Sequence, residues 1–238
     1  MTDWFRHWFG EEYLRLYAHR DAEDAVAAVA LVDGLSPVRD RRVLDLACGP
    51  GRHMVALRAL GARVVGCDLS GPLLAHAQEA AGAQVVRADI RALPFGARTF
   101  DVVVNLFTSF GYFEDDREHQ AVLDAVAALL IPHGCFVLDF LNAERVFRTL
   151  VPEETLLMGS TAVAIRRRIS ADRRYVEKDV IQVDDGRGWH ERVRLFTADD
   201  LQAMARRAGL HVRDVLGDYA ARRWHDASPR TILVMESR

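Results

Sequence analysis

Two hydrophobic periods alternate along the chain. From Arg42 onward, short apolar runs are followed by segments whose apolar residues recur every three or four positions. Residues 42–47 (RVLDLA) precede the helical pattern 51–60, residues 63–69 (RVVGCDL) precede 71–82, and residues 83–89 (AQVVRAD) lead through a loop to 100–107 (FDVVVNLF). The next helical pattern carries Val122, Val126, Leu129 and Leu130; Pro132 and Gly134 are expected to stop it before a buried strand over 135–142. Strands apolar on both faces, alternating with helices, predict a parallel sheet covered on both sides. Right-handed crossovers make this a doubly wound, Rossmann-like α/β core.

Two regions break the alternation. Residues 160–197 interleave apolar and charged side chains, with turn signals at 170–173 and 184–188, and predict a three-stranded antiparallel meander. The following helix has Thr197 as its N-cap and Gly209 as its stop. Residues 211–220 and 230–238 then predict two strands too close for a helical crossover, hence an antiparallel pair. Residues 1–35 hold two helical patterns, the first rich in aromatics (Trp4, Phe5, Trp8, Phe9, Tyr13, Tyr17). The expected organisation is an N-terminal helical lid over 1–35, a core over 36–154 and 197–238, and an inserted meander over 155–196.

The chain has 238 residues, half of them hydrophobic, enough for one sizeable core. A net charge of -3 offers no basic field for nucleic acid or an anionic membrane. Lys178 is the single lysine among 31 basic residues. Cys48, Cys67 and Cys135 form no CxxC pair and lie in apolar runs, so they read as buried free thiols in a reducing compartment. The N-terminus lacks the basic stretch and apolar run of a signal peptide, no apolar run is membrane length, and a cytoplasmic location is expected.

The stretch VLDLACGPGRH (43–53) carries the chemistry. A glycine turn between strand and helix exposes backbone N–H groups and admits a ligand where a Cβ would clash. In a doubly wound sheet, ligands sit at the carboxyl ends of the strands, which places the turn Ala47–Gly51 on the floor of a pocket. Asp68 ends the second strand, where an acid can take both hydroxyls of a ribose. Met54 stands where a dinucleotide fingerprint would have its third glycine, and Asp89 adds an acid at the end of the third strand.

These acids, the glycine turn and the terminal strand pair resemble the class I S-adenosylmethionine-dependent methyltransferases, in particular the small-molecule branch that includes sugar-amine and glycine-type N-methyltransferases. The resemblance implies a seven-stranded, mostly parallel sheet with an antiparallel last strand, and S-adenosylmethionine as cofactor. It places Ala47, Gly49 and Gly51 against the methionine and ribose parts, Asp68 on the ribose hydroxyls, and Leu69, Asp89 and Ile90 around adenine. It turns Asn105, Leu106 and Phe107 toward the methyl group. His53, on the first helical turn after the glycines, is a further candidate beside the cofactor. An N-terminal lid helix with Tyr13, Tyr17 and Arg20 would cover it, Arg20 pairing with the cofactor carboxylate. The fourth strand ends in NLFT, without the two prolines and aromatic used on planar base or amide nitrogens, and no metal ligands are expected.

In-line methyl transfer needs alignment and exclusion of water more than acid catalysis, so no triad is expected. Loop candidates for a catalytic role are Tyr112, Tyr219 and His225, with Phe110, Phe113 and Arg230 nearby in the sequence; each aromatic also reads as core and His225 as an exposed loop residue. The acceptor is expected to be a small molecule, most simply an amine. A tRNA or other RNA, suggested by Arg166–Arg168 with Arg173 and Arg174, is one alternative; a solvated strand face paired with Glu177, Asp179 and Glu191 is the competing reading of that cluster. A nicotinamide-dependent oxidoreductase is the other alternative. The meander is expected to roof the substrate pocket or to contact a second copy in a homodimer.

Overall fold

Successive residues of the central strands fall into different cores. The computed structural model describes residues 3–17 and 22–238. It begins with α1 (Phe5–Trp8), α2 (Glu11–Leu16) and α3 (Ala22–Leu35). The alternating core follows as β1 (Arg42–Leu46), α4 (Arg52–Ala59), β2 (Arg63–Asp68), α5 (Gly71–Ala81), β3 (Gln84–Arg87), β4 (Phe100–Asn105), α6 (Asp116–Leu129), β5 (Leu130–Leu141) and α7 (Ala143–Thr149). In β4, Val102 and Val104 pack with α3 and α4 residues such as Val32 and Leu57, while Val103 packs with Val122 and Val126 of α6. β5 divides likewise, Cys135 and Val137 on one side and Phe136 and Leu138 on the other. This period-two split gives a sheet buried on both faces.

An inserted sheet of β6 (Glu153–Met158), β7 (Thr161–Ile169), β8 (Tyr175–Gln182) and β9 (Gly188–Arg194) comes next, then α8 (Ala198–Arg207), β10 (His211–Leu216) and β11 (Arg230–Glu236). The main sheet has the order β10-β11-β5-β4-β1-β2-β3, and β11 runs antiparallel to both β10 and β5. Thr197 caps α8 as read, forming a capping box with Asp200, and Ser70 accepts from Leu73 N–H at the start of α5. All three cysteines are buried and free.

Two expectations need correction. The inserted segment has four strands, because Glu153–Met158 pairs antiparallel with β7. Five of its six residues are charged or exposed, so an apolar pattern could not reveal it. Helix α6 ends at Leu129, ahead of Pro132 and Gly134, and β5 starts at Leu130. Leu130 pairs with Phe100 and Cys135 with Val102, so residues 131–134 bulge out of the ladder, where a proline N–H is not required.

Gly51 shows how tightly the turn after β1 is packed. Its φ is +85°, and an added Cβ would lie 2.9 Å from Cα and Cβ of Ala77 on α5. Gly49 is also left-handed, at φ +55°, but an added Cβ there meets nothing within 4 Å. Gly51→Ala is therefore expected to cost about 1–3 kcal/mol, read as a lowered denaturation midpoint, and to cost more than Gly49→Ala; equal losses would contradict the packing argument.

Candidate active site

One cavity of about 830 Å³ opens at the carboxyl ends of the parallel strands. Its floor is the turn after β1 (Ala47–Pro50, with Arg52 and His53), the end of β2 (Asp68–Leu73) and the end of β3 (Asp89, Ile90). Leu106–Ser109 after β4 and Leu141 at the end of β5 form the far wall. The roof comes from elsewhere in the chain: Phe9, Tyr13, Leu14 and Tyr17 from the N-terminal helices, and Val176, Lys178, Glu191 and Val193 from the inserted sheet. Those two parts grip each other. Trp8, Leu16 and Tyr17 share an apolar cluster with Val163, Ile165 and Val180. Trp8 Nε1 donates to Glu191 at 2.8 Å, and Lys178 Nζ donates to Tyr17 Oη at 2.6 Å.

Asp68 ties the floor together. One carboxylate oxygen accepts from Gly49 N–H at 2.9 Å and the other from Ser70 N–H at 2.8 Å. Burial pushes its carboxyl above the usual carboxylate range, against the pull of those backbone donors. Incoming hydroxyl donors would restore solvation to this carboxylate, as a ribose does. His53 is buried, and its Nε2 has no partner among the described residues. Burial, reinforced by Arg52, lowers it to about 4, so it is a neutral ring at physiological pH. The left-handed, uncrowded Gly49, the buried carboxylate and the unpartnered imidazole suit a polar nucleoside cofactor on this floor.

A methyltransferase-domain family profile matches residues 43–134. The cypemycin N-terminal methyltransferase of a Streptomyces species is 31% identical over 228 residues, covering 87% of this chain and 88% of that protein. The dTDP-3-amino-3,6-dideoxy-alpha-D-glucopyranose N,N-dimethyltransferase of Streptomyces fradiae is 32% identical over 216 residues, covering 86% and 82%. The chain belongs to the S-adenosylmethionine-dependent methyltransferases. The methyltransferase fold is shared with the CcbJ methyltransferase of Streptomyces caelestis, with a TM-score of 0.79 at 24% identity over 90% of this chain and 89% of that one.

In this methyltransferase, Tyr17, Ala47, Gly49, His53, Asp68, Leu69, Asp89, Ile90, Leu106 and Phe107 all line the cavity. Arg20 lies outside the described residues. Two expected cofactor residues sit elsewhere. Gly51 faces Ala77, and its role is close packing of the turn on α5. Asn105 is buried beneath the wall, its amide donating to the Leu46 carbonyl at 2.7 Å, so it braces β4 on β1 rather than facing the methyl group. Asp89 reaches the cavity already engaged. Arg91 chelates its carboxylate at 2.9 and 2.6 Å, and Arg6 reaches it at 3.2 Å. Burial alone would raise its carboxyl, but these arginine contacts hold it below the usual range.

Among the catalytic candidates, Tyr112 lines the cavity and donates to the Thr108 carbonyl at 2.8 Å. Tyr219 does not line it. Its hydroxyl donates to Asp139 at 2.7 Å, and burial, then Asp139, drive it far above the usual phenol range, so it keeps its proton. His225 stays in an exposed loop, its Nδ1 accepting from Ala227 N–H. Phe110 belongs to the core, while Phe113 and Arg230 line the cavity.

The sequence reading missed Asp139. Its fully buried carboxylate accepts from Arg230 Nε at 2.7 Å, Tyr219 Oη, and the N–H of Phe107 at 2.8 Å. Phe107 and Thr108 are both left-handed, at φ 64° and 62°, so this carboxylate and the Asp139 carbonyl, which accepts Thr108 N–H, hold a strained wall in place. Within the run FVLDFL a lone acid is the only signal of this.

Two expected outcomes follow from the floor. Asp68→Ala removes a charged acceptor, so S-adenosylhomocysteine affinity should fall by about tenfold or more in calorimetry; unchanged affinity would contradict the ribose assignment. Asp45, at the end of β1, is fully buried with Oδ2 unpartnered, and burial, then Asp68, raise it from 3.8 to about 7. Between these values the folded carboxyl stays protonated while the unfolded one ionises. Unfolding there releases a proton, so stability falls as pH rises from about 4 to about 7. Asp45→Asn should remove that slope in denaturant titrations; an unchanged slope would contradict it.

Proposed function

We propose that the chain transfers a methyl group from S-adenosylmethionine to an amine nitrogen of a small-molecule acceptor or of a chain terminus. The roof is the observation that carries this reading: the N-terminal helices and the inserted sheet narrow the cavity over the strand ends to a space suited to a compact acceptor. The two relatives named above are, by name, an N-terminal and an amino-sugar N-methyltransferase, which supports nitrogen.

Asp68 and the turn Ala47–Pro50 would hold the nucleoside, and Leu69 and Ile90 would flank the base. Asp89 would meet the base by displacing Arg6, the weaker and more exposed of its two arginine partners. The cofactor supplies a methyl group on a sulfonium, an electrophile with a neutral leaving group. The protein's contribution is alignment: Asp139 and Arg230 fix the wall at Phe107, whose ring has Arg52 at 4.7 Å and Arg230 at 5.6 Å from its centroid. A roof over the strand ends would limit water at the reacting centre, and alignment of this kind is worth up to about 7–11 kcal/mol.

The RNA reading loses its support. Arg166 pairs with Glu153, Arg167 with Glu154, Arg168 with Glu177 and Asp179, and Arg174 with Asp116. Arg173 lies over the Phe147 ring. Among the described residues, no helix is long and apolar enough to cross a membrane. Burial raises all three thiols, to about 12 at Cys67 and about 11 at Cys135, so they stay protonated and are poor nucleophiles.

The test is turnover of S-adenosylmethionine with primary and secondary amines presented on short peptides and on aminohexoses, read by mass spectrometry and S-adenosylhomocysteine release. Methylated amine is the expected product. Methylation of alcohols, thiols or RNA with none of any amine would overturn the reading.

A further inference from the structure

The roof of the cavity has a charged row across an otherwise apolar face. Strand register aligns Arg167 with Lys178 and Lys178 with Glu191, across β7, β8 and β9. On one side, the same face carries the row Ile165, Val180 and Trp189, packed on the N-terminal helices. On the other it carries Ile169, Val176 and Val193. All three charged residues line the cavity. Charges on a half-buried apolar face are costly unless paired, and each has a partner: Arg167 with Glu154 at 2.5 Å, Lys178 with Glu191 at 3.2 Å.

Among the described residues, three carboxylates line this cavity: Asp68, Asp89 and Glu191. Asp68 belongs to the floor, bound by two backbone N–H groups, and Asp89 is chelated by Arg91. Glu191 faces them from the roof. Its Oε1 takes both Trp8 Nε1 and Lys178 Nζ, and among the described residues Oε2 has no hydrogen-bond partner. Lys178 is the one lysine in a chain that otherwise uses arginine for every basic position. A compact ammonium can touch Tyr17 Oη and one Glu191 oxygen together, whereas a planar guanidinium tends to take a carboxylate by both oxygens. The lysine thus fixes the carboxylate while leaving its second oxygen open.

The geometry points to Glu191 as the residue that receives the acceptor amine, with Lys178 as its positioning residue; this rests on the amine reading above. The nitrogen lone pair forms the new N–C bond, the C–S bond breaks with its electron pair kept by sulfur, and the positive charge passes from sulfur to nitrogen. Glu191 Oε2 accepts an N–H of the acceptor, orienting the lone pair, and stabilises the charge as it reaches nitrogen. The surplus proton leaves to water with the product.

Sinefungin tests this without a known acceptor, because it replaces the methyl-sulfonium of the cofactor with a carbon bearing an amine. Calorimetry on the full chain would compare sinefungin with S-adenosylhomocysteine. Glu191→Gln should weaken sinefungin by about tenfold or more while S-adenosylhomocysteine stays within about twofold. Glu191→Asp, which keeps a carboxylate, should recover part of the loss. Equal losses for both ligands would reduce Glu191 to a structural brace, and no change for either would remove it from the acceptor site. Both outcomes overturn this inference and leave the amine reading standing, since that reading falls only on the product identified in turnover.

Discussion

Asp68 is the constraint on which the site depends. Its carboxylate is shared between the turn after β1 and the start of α5, so two loops from different strands are fixed by one buried charge. The neighbouring glycines make this compatible with a ligand: Gly51 lets the turn press on α5, and Gly49 keeps the upper side clear. Buried charges are tolerated only when hydrogen-bonded. Here the backbone donors partly meet that need, and a bound ribose would complete it.

The far side of the cavity repeats this logic with a different acid. Asp139 on β5 spans from Arg230 on β11 to the backbone of Phe107 after β4, tying three adjacent strands of the main sheet beside the cavity. Removing one partner of such a buried pair typically costs about 3–5 kcal/mol, which keeps two consecutive left-handed residues in place. The roof is held separately, by aromatic packing of Trp8 on Trp189, with ring centroids 4.8 Å apart, and by the Trp8–Glu191 and Tyr17–Lys178 hydrogen bonds. A floor and wall built at the strand ends thus face a roof assembled from the N-terminal helices and the inserted sheet.

The alternating core was legible because its strands are apolar on both faces and its helices are bounded by clear caps such as Ser70 and Thr197. The floor was legible for the same reason: a glycine turn and an acid at a strand end carry their chemistry locally. What stayed hidden is nonlocal. Asn105 reads as a site residue by position, yet one side-chain hydrogen bond to the Leu46 carbonyl turns it inward. Lys178 and Glu191 look like ordinary strand-surface charges until register and packing show that their face covers the cavity. Tyr219 reads as a loop residue near the site, yet it packs outside the cavity with its hydroxyl donating to Asp139, distant in sequence.

The account stands on floor and roof acting on one ligand. Hydrogen exchange of the intact chain, with and without S-adenosylhomocysteine, tests that most directly. The account predicts slowed exchange together in four separated segments: 47–53 and 68–70 on the floor, 9–17 in the N-terminal helices, and 176–193 in the inserted sheet. Protection confined to the floor would contradict it, leaving the roof as a separate structural unit with no part in binding.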